Sequence, residues 1–455
     1  MSLDWQIETD SIHERASELP ELRRKRRRDR TRLLLFILSA ALIFGAVVGG
    51  IALRLNEVDS QIQRALIDTV QAEFAALRIG DFPTFISIQR SASETWLQAQ
   101  RERFNQYQVL KTAQELALTG QIFDVTIDGL RGRVTFEEVL QGKSHRAVWF
   151  YWRFSEGWRH VPSDYTFWGD FSELSGTKFT LKYRALDADL APLLAERLEA
   201  WLIEGCRIMG DAECAPITAE IVPNPVLIAG WDSEKPNTFY IPSPLARDER
   251  VPLDAPLPAP LEETVAVKIA EGLLARLTGL RQENGQLNDA TWLRQAFTDW
   301  AGAAFINRLD PLRHAFFQSM HTNYGDSATA AVARGLTYAT DLSLIGNALG
   351  QPLTSLNLDW RPYFQWRLDN ERQLVAQGNL GVLQQWWDIA DPATYNALQN
   401  RLNNPTQPTG QVIAIGFTPS ADGAPRMTVQ VTIDGAPQNL SFVFRDGTWK
   451  RTATP

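Results

Sequence analysis

The sequence predicts a multidomain α+β protein with a single transmembrane helix near its N-terminus. Three observations lead there. An uncharged run of twenty-one residues, Leu33–Leu53, follows a dense basic cluster. A pattern of long helix, short helix, helix and alternating strands occurs twice, over 55–165 and again over 357–455. Between the two copies, 170–350 reads as a mixed, helix-rich stretch. At 455 residues one core is not expected, and two to four domains is the ordinary division.

The apolar run comes first. A helix rises about 1.5 Å per residue, so roughly twenty residues cross a hydrocarbon core of about 30 Å. Residues 33–53 (LLLFILSAALIFGAVVGGIAL) fit that length and are apolar all round, unlike a half-buried soluble helix. The preceding RRKRRRDRTR, Arg23–Arg32, belongs on the cytoplasmic side. The expectation is a single-pass cell-membrane protein in contact with the bilayer through 33–53. Residues 1–32 form a cytoplasmic basic tail, and the bulk of the chain is extracytoplasmic. A cleaved signal peptide is the alternative. The run is longer than the usual h-region, and GGIALRLNEV lacks a clear A-x-A site. Gly45 and Gly49 form a lone G-x-x-x-G, a weak match that lipid-facing glycine explains better than helix pairing does.

Composition excludes one function class. The formal charge is −8, and residues 55–455 alone carry −11. Nucleic-acid binding needs a basic footprint, so no nucleic-acid partner is expected. The two cysteines, Cys206 and Cys214, lie on the expected outer side, where disulfides persist. They are read as a disulfide in preference to two free thiols, a choice that geometry decides. With no histidine nearby, C-x7-C is poor support for a metal site.

The two α+β copies share anchors. After the span, Val58, Ile62, Ala65, Leu66, Val70, Phe74 and Leu77 step by three and four along an amphipathic helix. Gly80-Asp81 then matches Gly378-Asn379, and each pair precedes a short helix. LTGQIFDVTI at 118–127 matches PTGQVIAIGF at 408–417. Each copy closes with alternating strands around a tight turn: AVWFYWRFSEGWRHV at 147–161 and LSFVFRDGTWKRT at 440–452. This element order resembles the nuclear transport factor two-like (SnoaL-like) family. The resemblance implies two cone-like α+β domains, each a curved sheet wrapped on a long helix with a pocket between them. Trp149, Trp152 and Trp158 alternate on strands and are candidate pocket aromatics, though core packing accounts for them better. The family hosts enzymes and binding modules alike, so the fold does not name a function.

In the middle stretch, strands are expected at 177–186 and 217–222 and a helix at 190–208. A long proline-rich loop is expected over 232–260, with a short strand near 239–241. Helices follow at 262–280, 289–307, 311–320 and 326–347. The helix opening WLRQAFTDWAGA at Trp292 resembles gluzincin (peptidase-MA-like) metallopeptidases, whose pattern there is W-L-x-E-G-x-A-E-Y. Such enzymes carry H-E-x-x-H on the preceding helix, with two zinc ligands and a glutamate base. Here that helix reads ETVAVKIAEGLLARL. It places Lys268 and Gly272 at the ligand positions, Ile269 at the base, and Gln295 at the third ligand. An ammonium and a missing side chain cannot hold or activate zinc-bound water. The resemblance therefore implies a degenerate peptidase-like domain without metal or catalytic residues, and no cofactor is expected.

No G-x-S-x-G, P-loop or G-x-G-x-x-G occurs. His314 and His321, seven apart, read as exposed helix residues. The expected function is that of an extracytoplasmic, non-catalytic binding or assembly protein engaging a protein or peptide, in an oligomeric state the sequence leaves open. The alternatives are an extracytoplasmic hydrolase or isomerase using a cone pocket, and a transmembrane signalling protein acting through its tail.

Overall fold

The computed structural model describes residues 20–247, 250–280, 286–403, 410–418, 423–433 and 435–453, with the side chains of 20–34 and 52 excepted. It is an α+β structure with three sheets, and the chain divides into two compact units. The first unit ends at Phe104 and also takes in Val125–Gly132 and Tyr151–Val161. The second comprises Asn105–Asp124, Arg133–Phe150 and everything from Pro162 onward. Most of the tail expected over residues 1–32 lies outside the described residues.

Helix α1 (Pro20–Ile79) runs without a break from the basic cluster through the apolar run and beyond it, about 90 Å in all. One helix near the N-terminus is thus long and apolar enough to cross a membrane, and its apolar window is fully exposed. Past that window, Leu66, Val70, Phe74 and Leu77 are buried. The step of three and four places them on one stripe. Gly80 takes a left-handed φ of 82°, and its N–H and that of Asp81 both donate to Ala76 O. The Asp81 carboxylate then accepts from Thr84 N and starts α2 (Phe82–Ile88). Helix α3 (Glu94–Thr112) follows. Four strands come next: β1 (Leu116–Asp128), β2 (Arg131–Leu140), β3 (Lys143–Phe154) and β4 (Gly157–Val161). Their order is β1-β2-β3, with β4 also paired to β3.

The middle stretch builds a second sheet from β5 (Phe171–Ser175), β6 (Phe179–Arg184), β7 (Ile217–Val222), β8 (Gly230–Trp231) and β9 (Thr238–Pro242). Its order is β5-β6-β7-β9-β8. The β6–β7 and β7–β9 pairs are parallel, whereas β5 and β8 are antiparallel edges. The crossover between β6 and β7 is α4 (Leu190–Met209), which buries Leu194, Leu198, Trp201 and Leu202. The β7 sequence ITAEIV buries every second residue, the period-two pattern of a strand. Two parts of this stretch depart from expectation. The 232–260 segment holds a second strand beyond the one expected near 239–241: β10 (Val251–Pro252) pairs antiparallel with β3 at Arg146 and His145. Two residues of proline-flanked chain carry no periodic signal. The helices expected at 311–320 and 326–347 are replaced by α7 (Ala315–Gly335), kinked at Gly325, and a separate α8 (Ser343–Leu349). Gly325 adopts φ 77°, ψ −175°, a conformation that breaks the helix and that glycine tolerates. Before them come α5 (Ala259–Thr278) and α6 (Asp289–Phe305).

The C-terminal elements repeat the first pattern: α9 (Arg361–Ala376), α10 (Leu380–Trp386), α11 (Pro392–Asn403), then β11 (Gly410–Thr418), β12 (Arg426–Ile433), β13 (Ala436–Arg445) and β14 (Thr448–Thr452). These strands form a sequential antiparallel sheet. Asn379 caps α10 as Asp81 caps α2. Gly378 is left-handed like Gly80. An isolated parallel bridge joins Trp387 to Arg451, and the N-terminal elements carry its equivalent between Gln89 and His160. A single apolar core runs from the middle helices into the C-terminal sheet. Trp292 packs on Phe316 and Tyr363 at 5.0 and 4.9 Å between ring centroids, and Phe364 packs on Phe442 at 4.7 Å. Helix α9 therefore has two buried faces, one toward its own sheet and one toward α6 and α7.

Candidate functional site: a covered helix face beside an apolar groove

Helix α5 begins after Pro258, with Pro260 in its first turn, where a missing N–H costs nothing. It carries three of the four positions that the peptidase resemblance singles out. Lys268 is half-buried, and its ammonium pairs with Glu271 at 2.7 Å. Ile269 is fully buried among core side chains. Gly272 is covered by Trp231 of edge strand β8, and a Cβ at this position would overlap the indole. The Trp231 indole N–H donates to Lys268 O at 2.6 Å, which pins the ring against this turn of α5. Phe239 packs beside it at 5.1 Å, and the Arg276 guanidinium lies 5.6 Å from its ring centroid. Gln295, on α6, is exposed. Among the described residues no hydrogen bond links Gln295 to Lys268 or Gly272.

These residues do not fit a zinc ion. The lysine is ion-paired, the glycine position is filled by an aromatic ring, and the glutamine amide faces solvent. A zinc site needs three or four convergent N, S or O ligands. Among the described residues, no group of three His, Cys, Asp or Glu side chains gathers in that way.

Next to the first turn of α5 is a groove of about 310 Å³. Ile228, Ala229, Pro242, Pro244, Pro258 and Pro260 line it, together with Leu261, Thr264 and one cation, Arg247. Arg247 is held by a hydrogen bond to Leu227 O. Two large apolar side chains in the approach to β8 are strongly exposed, Val226 at 84% and Ile228 at 72%. The volume lies at the small end of the range for ligand pockets, about 300–1,000 Å³. The walls offer apolar contact and almost no acid–base chemistry.

The other candidates resolve as follows. Cys206 and Cys214 are joined in a disulfide at the end of α4, with Cα atoms 5.7 Å apart. Trp149 and Trp158 are core residues. The first packs on Phe136 at 4.4 Å, and the second donates its N–H to Ile62 O. Trp152 is 46% exposed, so the three do not share one environment. His314 is buried, and its Nδ1 accepts from Asp310 N at 2.8 Å. It stands at the N-cap of α7, ahead of the helix, which corrects its reading as an exposed helix residue.

Among the buried carboxylates that sequence reasoning missed, two hold matching places in the two repeats. Glu73 on α1 accepts from Gln89 Nε2 at 2.7 Å, from Tyr151 OH at 2.9 Å and from His160 Nδ1 at 2.7 Å. All four residues are buried. Burial, and then the carboxylate beside it, holds the Tyr151 hydroxyl well above its ordinary pKa. Glu371 on α9 occupies the matching place, seven residues before the left-handed glycine. It pairs with Arg451 at 2.6 Å and Arg401 at 2.8 Å. Their signal was the equal offset of each glutamate from Gly80 or Gly378, hidden because a glutamate on an amphipathic helix reads as a solvated residue.

No family model, no curated protein and no solved structure matches this chain.

Proposed function

We propose that this chain is a membrane-anchored, extracytoplasmic binding or assembly protein that engages an apolar peptide segment and catalyses no reaction of its own. Trp231 carries the conclusion. Its indole fills the α5 face on which a peptidase of this kind would mount its metal, and it is held there by a hydrogen bond to the helix backbone. The neighbouring groove is open, apolar and walled by proline; exposed Ile228 lines it, and exposed Val226 lies two residues before. Apolar walls beside a sheet edge suit an extended peptide, whose side chains enter the groove while its backbone lies along the edge. The basic run before the span supports an outer location for this groove.

An enzyme would need ionisable groups that a substrate can reach. The strongest such cluster, Glu73 with Tyr151 and His160, is sealed, and its hydrogen bonds already hold the carboxylate. A photo-crosslinking amino acid in place of Ile228 should capture a polypeptide in native membranes. The same residue in place of exposed Val109 on α3 should not. Metal analysis of the purified protein should find zinc far below one equivalent. Stoichiometric zinc, or equal capture at both positions, would remove the basis for this function.

A further inference from the structure

The segment of α1 between the apolar run and the first buried contact forms a short stalk. Residues 54–61 are all exposed. The module begins at Ile62, whose carbonyl accepts from Trp158, and at buried Leu66. Eight residues of helix make this stalk about 12 Å long. Six of its positions are polar: Arg54, Asn56, Glu57, Asp59, Ser60 and Gln61. The other two are Leu55 and Val58, exposed at 60% and 46%.

Those two residues continue a regular stripe. Phe44, Val48, Ile51, Leu55, Val58 and Ile62 follow one another at spacings of four, three, four, three and four. Alternation of three and four is the a/d seam of a left-handed coiled coil. Lipid covers the first three without further explanation. It does not explain Leu55 and Val58, which lie beyond Arg54 in an otherwise polar segment. The flanking charges agree with the seam. With Leu55 at a and Val58 at d, Arg54 falls at g and Asp59 at e. In a parallel pair each g residue faces the e residue five positions on in the other helix. Arg54 and Asp59 are five apart and opposite in sign. Copies of one chain in one membrane share orientation and depth, so this stripe meets itself in parallel and in register.

We propose that α1 pairs in parallel with α1 of a second copy of this chain, through Phe44, Val48, Ile51, Leu55 and Val58, with Arg54 of each copy facing Asp59 of the other. The seam ends at Ile62, where the stripe turns into its own module, so pairing takes nothing from the module's core. The stalk then presents the outer parts of the protein two at a time.

Cysteine crosslinking of the full chain in native membranes tests this. Its only two cysteines are bridged to each other, so an added one reports alone. Leu55→Cys and Val58→Cys should give a covalent dimer under mild oxidation. Asn56→Cys and Ser60→Cys, on other faces of the stalk, should give several-fold less. In the Val58→Cys background, Arg54→Asp should lower the dimer several-fold, and adding Asp59→Arg should restore it. Equal crosslinking at all four positions, none at the seam, or a charge swap that restores nothing would each overturn the proposal.

Discussion

Asp187 is a carboxylic acid almost fully enclosed by protein. It accepts from the Trp168 indole N–H at 2.9 Å and from Ser243 Oγ at 2.5 Å. Burial is the larger influence and pushes its pKa up to about 6, against the two hydrogen bonds, which lower it. The unfolded chain ionises this group near 3.8, whereas the folded chain keeps it protonated to about 6. Its stabilising contribution is therefore complete below about pH 4 and lost as pH rises through about 6. Two pKa units correspond to at most about 3 kcal/mol. Asp187→Asn keeps an acceptor but cannot ionise, so its advantage over the wild type should grow between pH 4.5 and 7.5. Thermal unfolding at both pH values checks this, and parallel curves for the two proteins would contradict it. Neither the burial nor the two donors was legible in ALDADLAPLL, because Trp168 and Ser243 lie far from Asp187 in sequence.

At the scale of elements, each long helix is tied to its closing strand by one buried carboxylate. Glu73 joins α1 to Tyr151 on β3 and His160 on β4, and Glu371 joins α9 to Arg451 on β14. Glu73→Ala would remove the acceptor that three buried donors share. Removing the partner of a buried hydrogen-bonding group typically costs about 1–3 kcal/mol per group left unsatisfied. Thermal unfolding of the detergent-solubilised protein should register that loss as a large drop in Tm. A Glu73→Ala protein as stable as the wild type would mean that packing alone holds α1. Periodicity made most of these elements legible. Leu66, Val70, Phe74 and Leu77 mark α1, and ITAEIV matches β7 to the residue. What escaped was short or interrupted. Strands β8 and β10 have two residues each, too few to repeat a pattern, and the stretch expected as one helix over 326–347 stops at Gly335 and resumes as α8.

For the whole molecule, the apolar part of α1 is a long surface that water cannot cover cheaply. Its described side chains from Leu35 to Leu53 are exposed, and transfer of apolar surface from water is worth about 25 cal/mol per Å². The chain should therefore stay with the membrane fraction through an alkaline carbonate wash, and deletion of residues 33–53 should release it. Release of the intact chain by carbonate would refute anchoring. The basic cluster and the uncharged run were plain in the sequence because a membrane span is a local property of consecutive residues.

The sequence by itself determined the long uncharged apolar run, the helix and strand periods, the repeated order of elements, and the absence of zinc-ligand residue types at Lys268, Gly272 and Gln295. Each is set by residues near one another in the chain or by residue chemistry alone. Only the tertiary structure decided that Trp231 covers Gly272, that Glu73 and Glu371 are buried anchors, and that the middle helices and the last sheet share one core. Those facts arise where segments far apart in sequence come into contact, and no local pattern encodes which side chain will fill a given space.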